Sequence, residues 1–469
     1  MSNKEKIKNI VNDLDNILHS KDISELNRGL LVGTLLLYLK ETVKEKEITK
    51  DVIKTLDKYW SDIDILKNIK DTITTTFEGN EDTLNMLNRS VFDKSNIKTL
   101  NDSDYKEILI YLLKNVLTLN TITENGQNLL NLFFIMFNQY VNKKNKNQVF
   151  TPDHIAKFIC EILEVDKTKK VLDATCGTGA FLIQAMLHEL SDCNNSEELE
   201  NVAKNNIYGI EIDEDMFSLS TMNMLVLGNG NSNIKLNSLF DSGEFIEDIE
   251  PDVILMNPPY NASAIPVPDK YKESWSKKAK DDPTKGLVFV EFVADYVKTK
   301  EAKLAVIIPV ACSQNQNKAM KTTRVNLLKK HTLEAVFTLP TDLFYPSASV
   351  STCCMIFTLN KPHSKNKETL FTSFENDEFN KTRNGRVELF DKDNKSKWKK
   401  IEEKWIDLYL NKKEIEDLSV KDIVTAEDSW LYSSHIKINT TPTEDDFKKT
   451  VSDYLAWKVS NILKGQNFK

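Results

Sequence analysis

The sequence predicts an α/β protein in which a doubly wound, parallel sheet lies between an N-terminal all-α domain and a small C-terminal segment that ends in a helix. From residue 4 to about residue 142, apolar residues recur at three-to-four spacing, which is typical of amphipathic helices. After a polar, basic linker at 142–147, short apolar runs alternate with segments of helical length. Such alternation predicts parallel strands joined by helical crossovers. We therefore expect a helical domain at 1–147, a sheet domain at 148–361 and a C-terminal segment at 362–469.

The helical domain is predicted from repeated amphipathic patterns. Its clearest run consists of Ile7, Ile10, Val11, Leu14, Ile17 and Leu18. Residues at this spacing lie on one face of an α-helix, so this run should pack against other helices. Similar patterns occur at 30–39, 105–119 and 129–140. Since no strand signal interrupts them, they indicate a bundle of helices.

The sheet domain is predicted from apolar runs that have the length of buried strands. These runs are 170–174, 207–212, 233–236, 252–256, 304–308, 333–339 and 352–359. The segments between them, such as 180–190 and 287–297, are long enough for helical crossovers. Ligands of open α/β sheets bind at the carboxyl ends of the strands, so the residues that follow these runs are candidates for a functional site.

Composition excludes several classes of function. The chain has six cysteines, and no two of them have the C-x-x-C spacing of a zinc or redox site. We therefore expect no metal site and a reducing, cytoplasmic environment. No stretch approaches the roughly 20 apolar residues that span a bilayer, and no Walker-type phosphate loop is present. The sequence thus predicts neither a membrane segment nor an ATPase.

A glycine turn follows the first predicted strand. Gly177-Thr178-Gly179 stands between a strand and the start of a helix, where glycine lets the backbone approach a ligand. An ordinary tight turn is the alternative for this motif taken alone. The third glycine of the dinucleotide pattern is replaced by Leu182, which disfavours a dinucleotide.

The second predicted strand ends in an acidic residue, Glu211. A carboxylate at this place can accept hydrogen bonds from both ribose hydroxyls of an adenosine moiety. Taken alone, Glu211 is better explained as an exposed acid at a strand end. One strand–helix unit after the glycine turn, however, it stands where a nucleoside would be held.

The fourth predicted strand leads into Asn257-Pro258-Pro259-Tyr260. The prolines fix φ and remove backbone donors, which holds the Asn257 amide and the carbonyl groups at the sheet edge. If the Asn257 side-chain oxygen and the Pro258 carbonyl accept both protons of an adenine amine, the amine nitrogen becomes more nucleophilic towards a methylsulfonium. This chemistry requires no metal and no covalent intermediate. The alternative is a Pro-Pro turn after an ordinary strand.

In this order and spacing, the three motifs resemble those of the class I S-adenosylmethionine-dependent methyltransferases, whose sheet is Rossmann-like, and the N-P-P-Y sequence resembles that of the amino-methyltransferases. Phe150-Thr151-Pro152 and the segments 304–309 and 339–346 resemble further motifs of N6-adenine DNA methyltransferases with the gamma motif order. The helical domain resembles that of modification subunits of type I restriction-modification systems. The resemblance runs from 134 to 361 and implies site-specific methylation of adenine N6 in DNA, with S-adenosylmethionine as the cofactor.

The resemblance also implies a role for each motif residue. The cofactor site would consist of Phe150, Thr151, Asp173, Thr175, Gly177, Gly179, Glu211 and Asn237. The catalytic residues would be Asn257, Pro258, Pro259 and Tyr260. Tyr260 and Phe344 would stack on the target adenine after base flipping. Asn237 departs from the family pattern, which usually has Asp to contact the cofactor adenine; its amide can both accept and donate, and Asp241 is the alternative.

Other acceptors and a non-enzymatic role are the rival interpretations. The N-P-P-Y motif also occurs in enzymes that methylate a glutamine amide of release factors and in some RNA guanine-N2 methyltransferases. Phe150-Thr151-Pro152, the helical domain and the motifs after Pro309 favour DNA adenine. Cytosine N4 is disfavoured because its enzymes usually carry Ser in place of Asn257. A scaffold that binds a partner and cofactor without turnover is the remaining alternative.

The charge of the chain predicts a partner. The net charge is −8, whereas phosphate neutralisation dominates non-specific DNA affinity, so a basic patch such as 143–146 or a second subunit should supply phosphate contacts. The segment 362–469 is too short for two target-recognition domains. It resembles the family again at 376–379 and 383–386. It ends in a helix, opened by Thr443-x-x-Asp446, whose apolar face consists of Phe447, Val451, Tyr454, Leu455 and Ile462.

We expect this face to bind a specificity subunit, in an assembly that also includes a restriction subunit or a second modification subunit. The alternative is that the face packs back on the chain's own domains. Both follow from the rule that an apolar helix face needs a partner surface.

Overall fold

The computed structural model describes residues 3–44, 47–119, 133, 136–137, 151–227, 232–314, 317–382, 385–436 and 444–463. The expectations for the linker at 142–147, for the basic patch at 143–146, for Phe150 and for Thr443 lie outside these residues, as does the side chain of Ile462.

Every regular element described between residues 3 and 119 is helical. The α-helices are α1 (Asn3–Ser20), α2 (Glu25–Val43), α3 (Lys50–Tyr59), α4 (Ile65–Thr76), α5 (Glu81–Leu87), α6 (Ser95–Lys98) and α7 (Asp102–Asn115). The amphipathic face of α1 is buried as its spacing predicts, with Ile7, Leu14 and Leu18 inside the core of this bundle. A capping box between Asn101 and Asp104 fixes the start of α7.

The described residues from 151 onward contain a nine-stranded sheet with the order β11-β8-β6-β7-β5-β4-β1-β2-β3, and a separate hairpin of β9 and β10. The strands are β1 (Val171–Asp173), β2 (Ile207–Glu211), β3 (Asn233–Leu236), β4 (Val253–Met256), β5 (Lys303–Pro309), β6 (Thr332–Thr338), β7 (Thr352–Thr358), β8 (Glu368–Ser373), β9 (Phe379–Thr382), β10 (Gly385–Glu388) and β11 (Ser419–Ile423). The α/β fold class that the sequence predicts is confirmed. Each of the seven predicted strands is present, with ends that agree to within one or two residues.

The expectation of an entirely parallel sheet is wrong at β7, which is antiparallel to both β5 and β6. A parallel strand needs a crossover connection, usually a helix, and the connection at 339–351 contains none. The chain therefore turns back between β6 and β5. The sheet also continues beyond residue 361, because β8 pairs with β6 and β11 pairs with β8.

Helices cover both faces of the sheet. They are α8 (Asp153–Ile162), α9 (Ala180–Asp192), α10 (Ser196–Asn205), α11 (Glu214–Leu227), α12 (Gly243–Ile249), α13 (Asp269–Lys272), α14 (Leu287–Tyr296), α15 (Lys318–Lys330) and α16 (Lys397–Leu410), followed by the terminal helix α17 (Glu444–Leu463). Alternate residues of β4 belong to the two apolar cores, with Ile254 and Met256 in one and Val253 and Leu255 in the other.

Helix α11 joins the helical domain to the sheet. Leu219, Met222 and Leu225 pack into the core of the N-terminal helices, whereas Met224 packs into a core of the sheet. The Ser90 and Ser218 hydroxyls are also hydrogen-bonded across this contact, at 2.7 Å. None of the helices in the described ranges combines the length and hydropathy needed to span a bilayer.

Candidate active site

A cavity of about 570 Å³ opens at the carboxyl ends of β1, β2 and β4. Strand β1 pairs with β2 on one side and β4 on the other, so the cavity lies where the order of strands reverses. The predicted site residues that line it are Thr151, Asp173, Thr175, Gly177, Glu211, Asn237, Asn257, Pro258, Pro259 and Tyr260. Residues separated by more than a hundred positions in sequence thus meet at one edge of the sheet.

The glycine turn after β1 uses left-handed backbone angles at both glycines. Gly177 has φ 53° and Gly179 has φ 84°, values that L-residues with a side chain rarely adopt. A Cβ at Gly179 would lie 3.3 Å from the Ser220 Cβ, whereas a Cβ at Gly177 would meet no atom within 4 Å. Gly179 is therefore required for packing against α11, and Gly177 leaves its backbone accessible at the cavity wall.

The Glu211 carboxylate is held in place by three backbone donors. One oxygen accepts from the Gly177 amide at 2.8 Å, and the other accepts from the amides of Ile212 and Asp213, each at 2.8 Å. These bonds tie the end of β2 to the glycine turn after β1. A carboxylate can accept about four hydrogen bonds, and the backbone provides three of them, so the Glu211 carboxylate can still accept a hydrogen bond from a ligand.

Asp173 is the buried acid of the site. Its side chain accepts a hydrogen bond from the Thr175 amide at 3.1 Å. Burial raises the pKa of Asp173 to about 8, and the Glu211 charge adds to this effect, while the Thr175 hydrogen bond opposes it. A cationic ligand in the cavity would favour the ionised carboxylate, so Asp173 is suited to bind an ammonium group.

The Asn257 amide is oriented from both ends. Its nitrogen donates to the Thr151 hydroxyl at 3.0 Å, and its oxygen accepts from the Tyr260 hydroxyl at 2.7 Å. Burial raises the pKa of Tyr260 well above its usual value, so the hydroxyl stays protonated and remains a donor. The amide oxygen consequently faces Tyr260 and the nitrogen faces Thr151.

The Asn257–Tyr260 turn is supported from behind by a turn that the sequence analysis did not single out. Gly286 has φ 101°, and a Cβ there would lie 3.1 Å from the Pro258 side chain. The buried Asp282 carboxylate accepts from the Gly286 amide at 2.7 Å and from the amide and hydroxyl of Thr284. A glycine just before an apolar helix was the available signal for this turn.

An aromatic wall of the cavity was also not predicted. Phe240 and Phe289 line it, with their ring centres 4.8 Å apart. Phe289 lies in an apolar helical segment and Phe240 follows Leu239 in a short polar segment, so no signal in the sequence marks either of them as a cavity residue. Flat apolar surface of this kind is suited to a purine ring.

Two of the predicted site residues lie apart from the cavity lining. Gly179 caps α9 just beyond the turn. Phe344 is 4% exposed and belongs to an apolar core of the sheet. Between the two candidates for the cofactor adenine, Asn237 lines the cavity and donates to the Asp241 carbonyl at 3.2 Å, whereas Asp241 is exposed and is not part of the lining.

Among the residues that the structure describes, His, Cys, Asp and Glu form no group of three that could hold a metal ion.

Comparison with solved structures identifies the architecture. The methyltransferase subunit of a type I restriction-modification system from Streptococcus thermophilus superposes with a TM-score of 0.62 at 18% identity, over 90% of this chain and 96% of that one. This likeness supports the Rossmann-like methyltransferase fold that the sequence motifs imply.

Comparison with characterised proteins identifies the family. RM.BcgI of Heyndrickxia coagulans, a type II restriction enzyme and methyltransferase, is 33% identical over 323 residues, which are 68% of this chain and 47% of that protein. The type I MjaVII methylase subunit of Methanocaldococcus jannaschii is 22% identical over 442 residues, 88% of this chain and 68% of that protein. The chain thus spans about half the length of the first relative. The sequence model of the family described as N-6 DNA Methylase matches residues 129–460. The chain therefore belongs to the N-6 DNA methylase family.

Proposed function

We propose that the chain transfers a methyl group from S-adenosylmethionine to the N6 amine of adenine in DNA. The observation that carries this proposal is that Asn257, Glu211 and the Gly177 turn face one cavity. Asn257 is suited to an amine, and the other two are suited to a nucleoside. Membership of the N-6 DNA methylase family supports adenine in DNA as the acceptor.

The cofactor half of the site extends along the ends of β1 and β2. The Thr175 hydroxyl is buried at the cavity wall and has no hydrogen-bond partner among the described residues. A buried polar group without a partner is costly, and the carboxylate of an amino acid would satisfy it. Asp173 would hold the ammonium group, Glu211 the ribose hydroxyls and Asn237 the adenine edge. S-adenosylmethionine supplies an electrophilic methyl group on a sulfonium.

The acceptor half of the site is the Asn257–Tyr260 turn. The Asn257 oxygen and the Pro258 carbonyl would accept the two amine protons of a flipped adenine, which increases electron density on its nitrogen. The Tyr260 ring would stack on the base. Phe344 would need the segment at 339–346 to move before it could reach the same base, since its side chain is buried.

The terminal helix supports a partner. The predicted contact residues Phe447, Val451, Tyr454 and Leu455 are 53–61% exposed. The described parts of the chain therefore leave this face uncovered, which favours a specificity subunit over packing on the chain's own domains. In this proposal residues 148–361 carry the chemistry, the C-terminal segment (362–469) contacts the partner, and the helical domain (1–147) packs against the sheet domain through α11.

The test is methyl transfer from isotopically labelled S-adenosylmethionine by the full chain, assayed with and without a co-expressed specificity subunit. The expected result is label in duplex DNA, recovered as N6-methyladenine, with little transfer by the chain alone. Label recovered in release-factor glutamine or in RNA would instead identify that molecule as the methyl acceptor. Cofactor binding without transfer to any of them would support the scaffold. A chain truncated after residue 443 should still bind the cofactor but lose its partner.

A further inference from the structure

A loop at the rim of the cavity presents an isoleucine to solvent. This rim loop, residues 261–282, follows Tyr260 directly. Ile265 is 88% exposed, more than any other large apolar side chain in the part of the chain that the structure describes. Its neighbours Ser263 and Pro266 line the cavity. The most exposed isoleucine among the described residues thus stands beside the proposed entry point of the target base.

The rim loop is held rigidly, so the exposure of Ile265 does not arise from a loose segment. The Ala264 amide donates to the Lys280 carbonyl at 2.9 Å, and the Asp282 amide donates to the Ala262 carbonyl at 2.8 Å. Ala264 is itself buried in a core of the sheet, as are three further residues of the loop, Val267, Tyr271 and Trp275. These contacts fix the backbone on both sides of Ile265 and direct its side chain outward.

Three exposed lysines follow Ile265 in the rim loop. Lys277, Lys278 and Lys280 are exposed, and none of them forms an ion pair with a described residue. Two other lysines of the loop differ, because Lys270 and Lys272 each have an acidic partner. The Lys280 carbonyl accepts a hydrogen bond from the Ala264 amide, so the backbone of this lysine lies next to the residue that precedes Ile265.

From these observations we infer that the rim loop binds double-stranded DNA around the target base. Ile265 enters the space that a flipped adenine leaves in the duplex, and the three lysines contact the flanking phosphates. Apolar side chains are known to insert between base steps, and phosphate contacts by lysine position a duplex without reading its sequence. The inference rests on the proposed function, because only a flipped base creates the gap.

An abasic duplex tests the role of Ile265 without knowledge of the target sequence. The full chain is titrated, at low salt, with two fluorescent duplexes of about 30 base pairs, one intact and one with a single abasic site that provides a ready-made gap. The wild-type chain should bind the abasic duplex about tenfold more tightly. Ile265→Ala should lose most of this preference, and Ile265→Leu should keep it.

Ile423→Ala is the matched control, since Ile423 is also exposed but lies on β11 at the far edge of the sheet. It should leave the preference unchanged. A wild-type chain that binds the two duplexes equally, or binds neither, would overturn the role of Ile265. So would an Ile265→Ala variant with an unaltered preference.

The lysines are tested by the salt dependence of binding. Replacing Lys277, Lys278 and Lys280 by Gln should weaken binding to both duplexes and make the slope of log K against log salt shallower by about 2 to 3. The control is the same replacement at Lys50, Lys54 and Lys58, which are exposed on α3. If the two triple variants weaken DNA binding equally, the effect depends only on the net charge of the protein. That result would contradict phosphate contacts by the rim-loop lysines.

The same preparations separate this inference from the proposed function. Cofactor binding is measured by calorimetry, and methyl transfer to DNA is measured with the specificity subunit. If the wild-type chain methylates DNA and the rim-loop variants do not change DNA binding, only the inference about the rim loop is overturned. If the wild-type chain does not bind the cofactor, or does not transfer methyl groups to DNA, the proposed function itself is overturned.

Discussion

The Tyr260 hydroxyl donates a hydrogen bond of 2.7 Å to the Asn257 side-chain oxygen, the atom that the proposed reaction needs as an acceptor for the adenine amine. The amide oxygen can accept two hydrogen bonds, so the adenine amine either binds beside this hydroxyl or displaces it before methyl transfer. The tyrosine has two separable parts in this account: a ring that stacks on the base and a hydroxyl that holds the amide until the base arrives.

Substitutions at Tyr260 separate these two parts. Tyr260→Phe keeps the ring and frees the Asn257 oxygen, so kcat/KM for DNA should remain within a few-fold of the wild-type value. Tyr260→Ala removes the ring and should lower kcat/KM by about tenfold to a hundredfold, since base–aromatic stacking is worth about 1–3 kcal/mol. Steady-state methylation assays measure both. If Tyr260→Phe lowers kcat/KM as much as Tyr260→Ala does, the hydroxyl itself has a role in the reaction.

Gly286 offers a test of the support behind Pro258. Gly286→Ala would place a Cβ 3.1 Å from the Pro258 side chain and would strain a backbone with φ 101°. We expect kcat to fall at least several-fold while cofactor affinity is kept, because the displaced residues belong to the acceptor half of the site. Gly79→Ala is the control, since Gly79 has φ 88° but no atom within 4 Å of the added Cβ. Both variants should lose about 1 kcal/mol of folding free energy from backbone strain, and only Gly286→Ala should lose turnover.

The raised pKa of Asp173 predicts a pH dependence of stability. The folded protein holds this carboxyl protonated up to about pH 8, whereas the unfolded chain releases the proton near 3.8. The contribution of Asp173 to stability is therefore complete below the unfolded value and is lost as the pH rises towards 8. Asp173→Asn should stabilise the protein relative to wild type by an amount that grows between about pH 5 and pH 8, and should weaken cofactor binding.

Thermal unfolding of the two proteins across this pH range measures the effect on stability. Curves that stay parallel would show that Asp173 is ionised in the folded protein. Glu198→Gln serves as a control, because the hydrogen bond from Lys167 lowers the pKa of Glu198, so its effect on stability should change with pH in the opposite direction.

Arg386 holds the β9–β10 hairpin against the catalytic domain. Its guanidinium makes two hydrogen bonds of 2.6 Å to Asp377 and lies 3.1 Å from Asp342. Asp377, which is 1% exposed, also contacts His154 at 2.9 Å. The cluster thus connects the hairpin to the helix that follows Thr151 and to the segment that contains Phe344.

Removal of this guanidinium should destabilise the fold. Arg386→Ala removes both guanidinium hydrogen bonds from the buried Asp377 carboxylate and leaves it with His154, so it should lower the free energy of unfolding by about 3–5 kcal/mol. Lys397→Ala is the control, because the Lys397–Glu378 pair is more exposed and should change it by less than about 1 kcal/mol. Urea unfolding measures both. An equally small loss for both variants would argue against a structural role for the cluster.

The strands could be predicted because each one is a short apolar run with turn residues at its ends. The direction of β7 could not, since it depends on whether the preceding connection forms a helix. The strands β8 and β11 lie in a charged part of the sequence, where only two residues of each strand are apolar. A periodicity search therefore passes over them, although they extend the sheet.

The site was predictable where a residue's chemistry is local to its motif. Asn257, Glu211 and Gly177 follow strands directly, and the carboxyl ends of parallel strands meet at one edge. The sequence does not show which of Phe344 and Phe289 lines the cavity, because the residue type alone does not show whether an aromatic side chain faces the core or a ligand site. Phe344 turned out to be buried, and Phe289 turned out to line the cavity.

We propose that one cavity has a cofactor half at Glu211 and an acceptor half at Asn257. The most direct test of this division measures S-adenosylmethionine affinity by calorimetry and methyl transfer to DNA in two variants of the full chain with its specificity subunit. Asn257→Ala should keep near-normal cofactor affinity and lose transfer, because the amide acts on the adenine amine. Glu211→Ala should lose cofactor affinity first. Near-normal turnover in Asn257→Ala, or unchanged affinity in Glu211→Ala, would contradict this division of the site.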